Sequence, residues 1–340
     1  MTAAFVFAPG LVLRVAGQPA AVAQLRREYG PCEVPDDAVP ALDVVFGSPT
    51  IGMDAPLGIV MADSSHKTVS WQVGLGGPGD EPLRAWISTG GWPAGFARSL
   101  VQGYIVEPLL SIAAVRIGHV LLPGAGIVAD DGLLVVIGRS GAGKSTIAAR
   151  ALASGRRVLG DDQLLVDGGG TWRPFPRRLR FYPDLAIAAP SAYARLQPGT
   201  RRVLRMRGAV AAVTRGFVRP SLAVQPGELG GTWQPEPLHA TRIALVERRA
   251  DVDALVVDPA TTDRALDWAA TVLAEQRARL VSLGGATWLP MLEATASAEA
   301  GLLRTAFAGI PVHAISMPVG WSAAEGVTRT AAALGLEPGR

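Results

Sequence analysis

The sequence predicts an α/β fold preceded by a smaller β-rich α+β domain. Three observations predict it. The string "GRSGAGKS", Gly138 to Ser145, follows an apolar run at 133–137 and opens a helical pattern, which is the strand–loop–helix order of a phosphate-binding loop. Further strand-length apolar runs and helix patterns follow it to about residue 318. At the front of the chain, "ALDVVFG", "LGIVMA", "TVSWQVG" and "LRAWIST" are short apolar or alternating runs bounded by Gly, Pro, Asp and Ser, so residues 1 to about 92 read as strands and turns.

Each later element has its own signal. After "GGWP" a helix is expected at about 94–115, because Phe96, Leu100, Tyr104, Leu109 and Ala113 recur near helical spacing. Pro108 should kink it or end its first half. "HVLLPGAGIVADDGLLVVIG" reads as two strands joined at "ADDG", which makes Asp130 and Asp131 turn residues rather than catalytic ones. A helix then runs over about 144–154, Gly155 ends it, and "RRVLG" begins a strand. The stretch from Arg173 to Arg219 has eleven arginines against one acid, Asp184, and few periodic elements. "ATRIALVERR" is a buried strand, and "TTDRALDWAATVLAEQRARLVSL" a helix carrying Leu266, Ala270, Leu273 and Leu280. A helix at about 294–308 stops at Gly309, and "IPVHAISMPV" is a final strand. The expected domains are 1–115, 116–320 and a C-terminal tail, 321–340.

Composition bounds the class. The 340 residues are 49% apolar and 18% charged, so the chain is globular. Its 40 glycines and 26 prolines argue against a helical bundle. Of 32 basic residues only Lys67 and Lys144 are lysines, and the net charge of +3 is too small to argue for nucleic acid. Cys32 is the only cysteine, which excludes an intrachain disulfide and fits a reducing cytoplasm. The N-terminal stretch lacks a basic n-region and breaks at Pro9-Gly10, and the apolar stretch 105–129 is interrupted by Glu107, Pro108, Arg116 and Pro123. A cytoplasmic protein without a membrane or nucleic-acid partner is expected, with homo-oligomerisation left open.

Gly138, Gly143, Lys144 and Ser145 match G-x-x-x-x-G-K-[ST] in full. Glycines let backbone N–H groups curl around phosphate oxygens, and the helix start adds partial positive charge. The loop Gly138, Arg139, Ser140, Gly141, Ala142, Gly143, Lys144, Ser145 and Thr146 is therefore expected to hold ATP. Lys144, read as an exposed loop lysine, should meet the β- and γ-phosphates, and Ser145 should ligate Mg²⁺. One helix and one strand later come Asp161 and Asp162. A strand in that position can lie beside the loop's own strand with its carboxyl end at the phosphates. Its successive residues point to opposite sides, so one aspartate can face the metal while the other faces the acceptor side. Either aspartate alone could instead satisfy a turn.

"GRSGAGKS" with "LGDD" resembles the catalytic domain of HPr kinase/phosphorylase and, more distantly, phosphoenolpyruvate carboxykinase. The resemblance is specific over about 119–166, architectural over 167–318 and absent over 1–90. It implies a P-loop kinase domain and a catalytic set of Lys144, Asp161, Asp162 and His119, with Asp162 in the place of the family's proton acceptor and Asp161 left for the metal. His119 opens the strand pair before the loop in "GHVLLPGAG". The implied acceptor is a hydroxyl on a peptide, a protein or a small molecule. Two departures count against phosphorylase activity and against HPr itself. Thr146 stands where the bacterial enzymes usually carry Glu, and the string nearest their L-E-I-R-G loop is "LRMRG", Leu204 to Gly208, with Arg205 in the Glu place. The broader HPr-kinase-like group fits better.

Alternatives remain beside this one. The same loop could serve a nucleotide-hydrolysing switch or a nucleotide-binding accessory protein without turnover. His119 read without the family pattern is a hydrogen-bonded core histidine, and His66, His239 and His313 read as structural. The arginine-rich stretch reads as a solvated basic face, as a lid that neutralises phosphate and recruits an acidic acceptor, or as a nucleic-acid surface. The last lacks interleaved aromatics.

Overall fold

In the computed structural model, which describes residues 1–47, 60–215, 217 and 221–336, the alternating runs at the front of the chain form a mixed sheet. Its seven strands are β1 (Thr2–Ala8), β2 (Leu11–Gly17), β3 (Glu33–Val34), β4 (Leu42–Phe46), β5 (Val60–His66), β6 (Val69–Leu75) and β7 (Leu83–Gly91), in the order β3-β1-β2-β4-β7-β6-β5. The pairs β2–β4 and β4–β7 are parallel and the others antiparallel. Alternation along β6 buries Val69, Trp71 and Val73 and exposes Ser70 and Gln72, as period-two side-chain direction requires. The front half of the "LGIVMA" strand falls outside the described residues.

Helix α1 (Pro19–Tyr29) also belongs here, burying Val22, Leu25 and Tyr29. It corrects the reading of residues 1–92 as strands and turns alone. The helix expected at 94–115 divides into α2 (Ala94–Val101), a π-helical turn Gln102–Val106 and α3 (Glu107–Arg116). Pro108 explains the wide turn. It has no N–H to donate to the Tyr104 carbonyl, and its ring would crowd that oxygen in a regular α-helix.

The chain divides into two compact units: Met1–Leu122, Leu165–Gly168 and Ala270–Leu303 form one, and Pro123–Leu164, Gly169–Ala269 and Arg304–Arg340 the other. The run at 119–138, expected as two strands, gives three. Pro123 separates β8 (His119–Leu122) from β9 (Gly124–Ala129), and β10 (Gly132–Gly138) follows the Asp130-Asp131 turn. Both turn aspartates are ion-paired, Asp130 to Arg156 at 2.9 Å and Asp131 to Arg242 at 3.1 Å. The elements that follow are α4 (Lys144–Ala153), β11 (Val158–Gly160), β12 (Leu164–Asp167), β13 (Thr171–Arg173), β14 (Leu179–Phe181), α5 (Leu185–Ala188), α6 (Pro190–Arg195), α7 (Pro198–Val213), β15 (Leu222–Val224), β16 (Leu238–Arg249), β17 (Val256–Ala260), α8 (Thr262–Ala306), β18 (Val312–Pro318) and α9 (Ala323–Ala333).

In the second unit the strands run β11-β9-β10-β16-β18-β17, with β10, β16 and β18 mutually parallel. Buried on its faces, β10 reads "GLLVVIG", the near-continuous apolar run expected of a covered parallel strand. Helix α4 buries Ile147, Ala148, Ala151 and Leu152 in the core that includes Leu134, Val136 and Val246. Ile147 and Leu152 each contribute about 1.5–3 kcal/mol by burial. The residues beyond 320 carry α9, capped by the Ser322 hydroxyl accepting from the Glu325 N–H at 3.2 Å. It packs Val327 and Ala331 into the same core.

Helix α8 spans 45 residues but is broken at Gly285, whose φ of 53° and ψ of −153° are not helical. Arg277 and Glu299 meet across the break at 2.5 Å. Twenty-two residues of straight helix would hold them about 33 Å apart, so the chain folds back at Gly285. Gly285 supplies the left-handed backbone that other residues resist.

Candidate functional site

The glycine-rich loop begins where β10 ends. Gly138 pairs with Val246 of β16, and a Cβ there would approach the Val246 carbonyl oxygen to 2.6 Å. Gly141 and Gly143 have φ of +84° and +97°, values that favour glycine. Arg139, Ser140 and Gly141 are exposed, Ala142 is buried, and Ser145 and Thr146 are half-buried on the first turn of α4. The first N–H groups of a helix lack partners within it, so this turn presents donors and partial positive charge at one point. The Arg139 guanidinium lies over the Trp268 ring, 5.9 Å from its centroid.

Lys144 is not the exposed lysine expected from sequence. Its residue is 8% exposed, and its Nζ donates to the carbonyls of Gly138 (2.5 Å) and Arg139 (3.1 Å). The ammonium thus sits inside the curl of the loop.

The aspartates reach the loop by a different route from the one expected. β11 does not lie beside β10, because β9 runs between them and is antiparallel to both. β10 and β11 consequently run in the same direction and end at the same edge. Gly124 fixes their level: it pairs with Ile137 of β10, while its N–H donates to the Asp162 carbonyl at 3.2 Å. Gly160 is needed just before the pair, since a Cβ there would lie 2.4 Å from the Gln163 carbonyl oxygen.

The adjacent carboxylates occupy opposite environments. Asp161 is 2% exposed. Ser145 and Lys144 lie near enough to its carboxylate to favour the charged form. Burial, reinforced by the neighbouring Asp162 charge, pushes its pKa up to about 7 against the opposing pull of Ser145, Lys144 and Arg177. Its Oδ1 is buried with no hydrogen-bond partner among the described residues. Asp162 keeps 49% of its side chain exposed and accepts from Arg177 Nη1 at 2.5 Å. Burial acts to raise its pKa, but the charges of Arg177, Lys144 and Arg180 outweigh this and hold it below the usual carboxylate range.

Arg177 and Arg180 were not singled out from the sequence. Their signal was the cluster "PRRLR" in the arginine-rich stretch, which cannot show which guanidinium turns inward. Most of that stretch is ordered into β13, β14, α5, α6 and α7, and Arg219 lies outside the described residues. The "LRMRG" string falls within α7, with Arg205 exposed. His119 belongs to the first unit, where its Nδ1 lies 3.1 Å from the Ile117 carbonyl oxygen and its Nε2 is buried without a partner among the described residues.

The Ser145 hydroxyl and the unpartnered Asp161 oxygen suit a hard divalent cation such as Mg²⁺, which takes one or two protein oxygens and completes its shell with water and phosphate. Among the described residues no cluster of three or more His, Cys, Asp or Glu offers an all-protein cage. Comparison with protein-family models finds no match, and comparison with curated proteins finds none. Within this unit a glycine-rich loop at a helix start, a buried lysine and two unlike carboxylates converge. Among the described residues no helix is long and apolar enough to cross a membrane.

Proposed function

We propose that the chain is an ATP- and Mg²⁺-dependent kinase of the HPr-kinase-like kind, transferring the γ-phosphate to an alcohol on a peptide, a protein or a small molecule. The observation that carries this reading is the division of labour between the paired aspartates, one buried against Ser145 and the other facing outward. The loop 138–146 binds the triphosphate, with Lys144 leaving its carbonyl partners for the β- and γ-oxygens. Ser145 and Asp161 hold Mg²⁺, which when bound neutralises charge on the phosphate oxygens. Asp162 takes the acceptor's proton as its oxygen bonds to phosphorus and the bond to the ADP oxygen breaks. The lowered pKa keeps Asp162 ionised but weakens it as a base, and Arg177 orients it. Positioning and electrostatics supply most of the acceleration in phosphoryl transfer. The reading places the protein in the cytoplasm, where ATP is present.

The test is a magnesium titration of radiolabel transfer from [γ-³²P]ATP to proteins and small molecules of a cell extract. Asp161→Asn should lose rate at low Mg²⁺ and recover part of it as Mg²⁺ rises. Asp162→Asn should bind ATP normally and transfer roughly 10²–10⁴-fold more slowly, without rescue. Phosphate release without transfer would favour a hydrolytic switch. Tight ATP binding with no product would favour an accessory protein, a reading that the Arg177–Asp162 ion pair supports because it occupies the proposed base.

A further inference from the structure

Helix α7 is sixteen residues long, yet only Leu204 among them is buried. A lone helix of that length is marginal in water and usually draws its stability from a packed apolar face. The apolar residues of α7 point the other way. Val203, Met206, Val210 and Val213 are 40%, 61%, 46% and 85% exposed, and their spacing of three, four and three makes one continuous stripe. Leu204 and Gly208 hold the opposite side against the protein. Leu204 joins the core with Leu179 and Phe181, and a Cβ at Gly208 would meet Pro183 at 3.2 Å.

The stripe has the pattern of a helix–helix seam. With Val203 and Val210 at heptad position a and Met206 and Val213 at d, Arg207 falls at e and Arg202 at g, the positions whose charges select a partner. Among the described residues Arg202, Arg205 and Arg207 form no ion pair, and α7 contains no acid. We infer that α7 is a docking helix for an acidic amphipathic helix of a partner protein, with apolar residues at a and d and Asp or Glu at e and g. A second copy of the chain fits poorly, because pairing α7 with itself in either direction sets arginine against arginine. A lipid surface fits poorly too. The stripe covers roughly 80° of the helix at 100° per residue, and it lacks the Trp, Phe or Leu anchors of interfacial helices. Met206 adds an adaptable contact. This inference stands apart from phosphoryl transfer and is read by binding alone.

The probe is a synthetic helical peptide of about three heptads, with Leu at a and d and Glu at e and g, titrated without nucleotide into the full chain and followed by fluorescence anisotropy. A Lys-flanked peptide and phosphatidylglycerol vesicles run in parallel. The Glu-flanked peptide should bind roughly tenfold more tightly than its Lys counterpart, the size expected from a few rim charge pairs. Met206→Asp should remove binding, and the double change Arg202→Glu with Arg207→Glu should invert the preference. Circular dichroism establishes folding, and if Met206→Asp does not fold, the charge-reversal pair still decides. Equal binding of both peptides, no binding of the Glu-flanked peptide, binding to vesicles alone, or a dimer in sedimentation that Met206→Asp dissolves would each overturn the proposal.

Discussion

Asp161 shows how a single residue can oppose the stability of the fold that holds it. Its carboxyl is pushed from 3.8 up to about 7 by burial and by Asp162. Between those values the unfolded chain releases the proton while the folded chain keeps it. The stability present below about pH 4 is therefore lost as pH rises to about 7, at about 1.4 kcal/mol per unit for a fully uncoupled group. Asp161→Asn should then stabilise the nucleotide-free protein at pH 8 and change little at pH 4. Urea melts at the two pH values check this, and an equal effect at both would refute the burial argument. Arg177 acts on Asp162 in the opposite sense. Arg177→Gln should raise the Asp162 pKa, read from its carboxyl ¹³C shift. The aspartates were legible in the sequence because "LGDD" stands at a telling distance from the loop. Arg177 was not, because its partner lies fifteen residues away and nothing local distinguishes it from Arg178.

At the scale of elements, legibility followed the strength of local patterning. β4, β6, β7, β10, β16 and β18 each carry an apolar run with clear ends, and all were readable. α1 was missed because polar Gln24 and Glu28 take two of its six buried positions, which breaks the apolar stripe. Strand order was beyond reach: helix α4 returns β11 to the sheet, but only the antiparallel β9 hairpin decides that it lands one strand away from β10. The loop glycines separate two kinds of demand. Gly138→Ala forces a Cβ into the Val246 carbonyl at 2.6 Å and should cost about 1–3 kcal/mol. Gly141→Ala meets nothing within 4 Å and should cost only about 1–2 kcal/mol, from its positive φ. Chemical melts of the two variants compare them directly. In the α8 turn-back, Arg277→Ala should cost about 3–5 kcal/mol, because Glu299 would stay buried without its partner.

For the molecule as a whole, the sharpest expectation is a linkage between the loop and global stability. A ligand that binds only the folded state stabilises by RT ln(1 + [L]/Kd), about 2.7 kcal/mol at a hundredfold excess over Kd. Mg²⁺-ATP should therefore raise the melting temperature, and slower amide exchange should follow in β10, α4 and β11, which carry the loop and the aspartates. Lys144→Ala should act twice. Its buried Nζ gives two hydrogen bonds to loop carbonyls, so the nucleotide-free variant should melt lower, by about 1–3 kcal/mol for charged hydrogen bonds lost from a buried site. The same change should abolish the nucleotide-dependent shift, because no other lysine is present in the loop. The two effects are separable in one experiment that scans melting temperature against Mg²⁺-ATP concentration for both proteins. A wild-type curve that stays flat to millimolar nucleotide would remove the loop from consideration as a phosphate site. A variant curve that starts low but rises in parallel with wild type would leave Lys144 with a structural role alone.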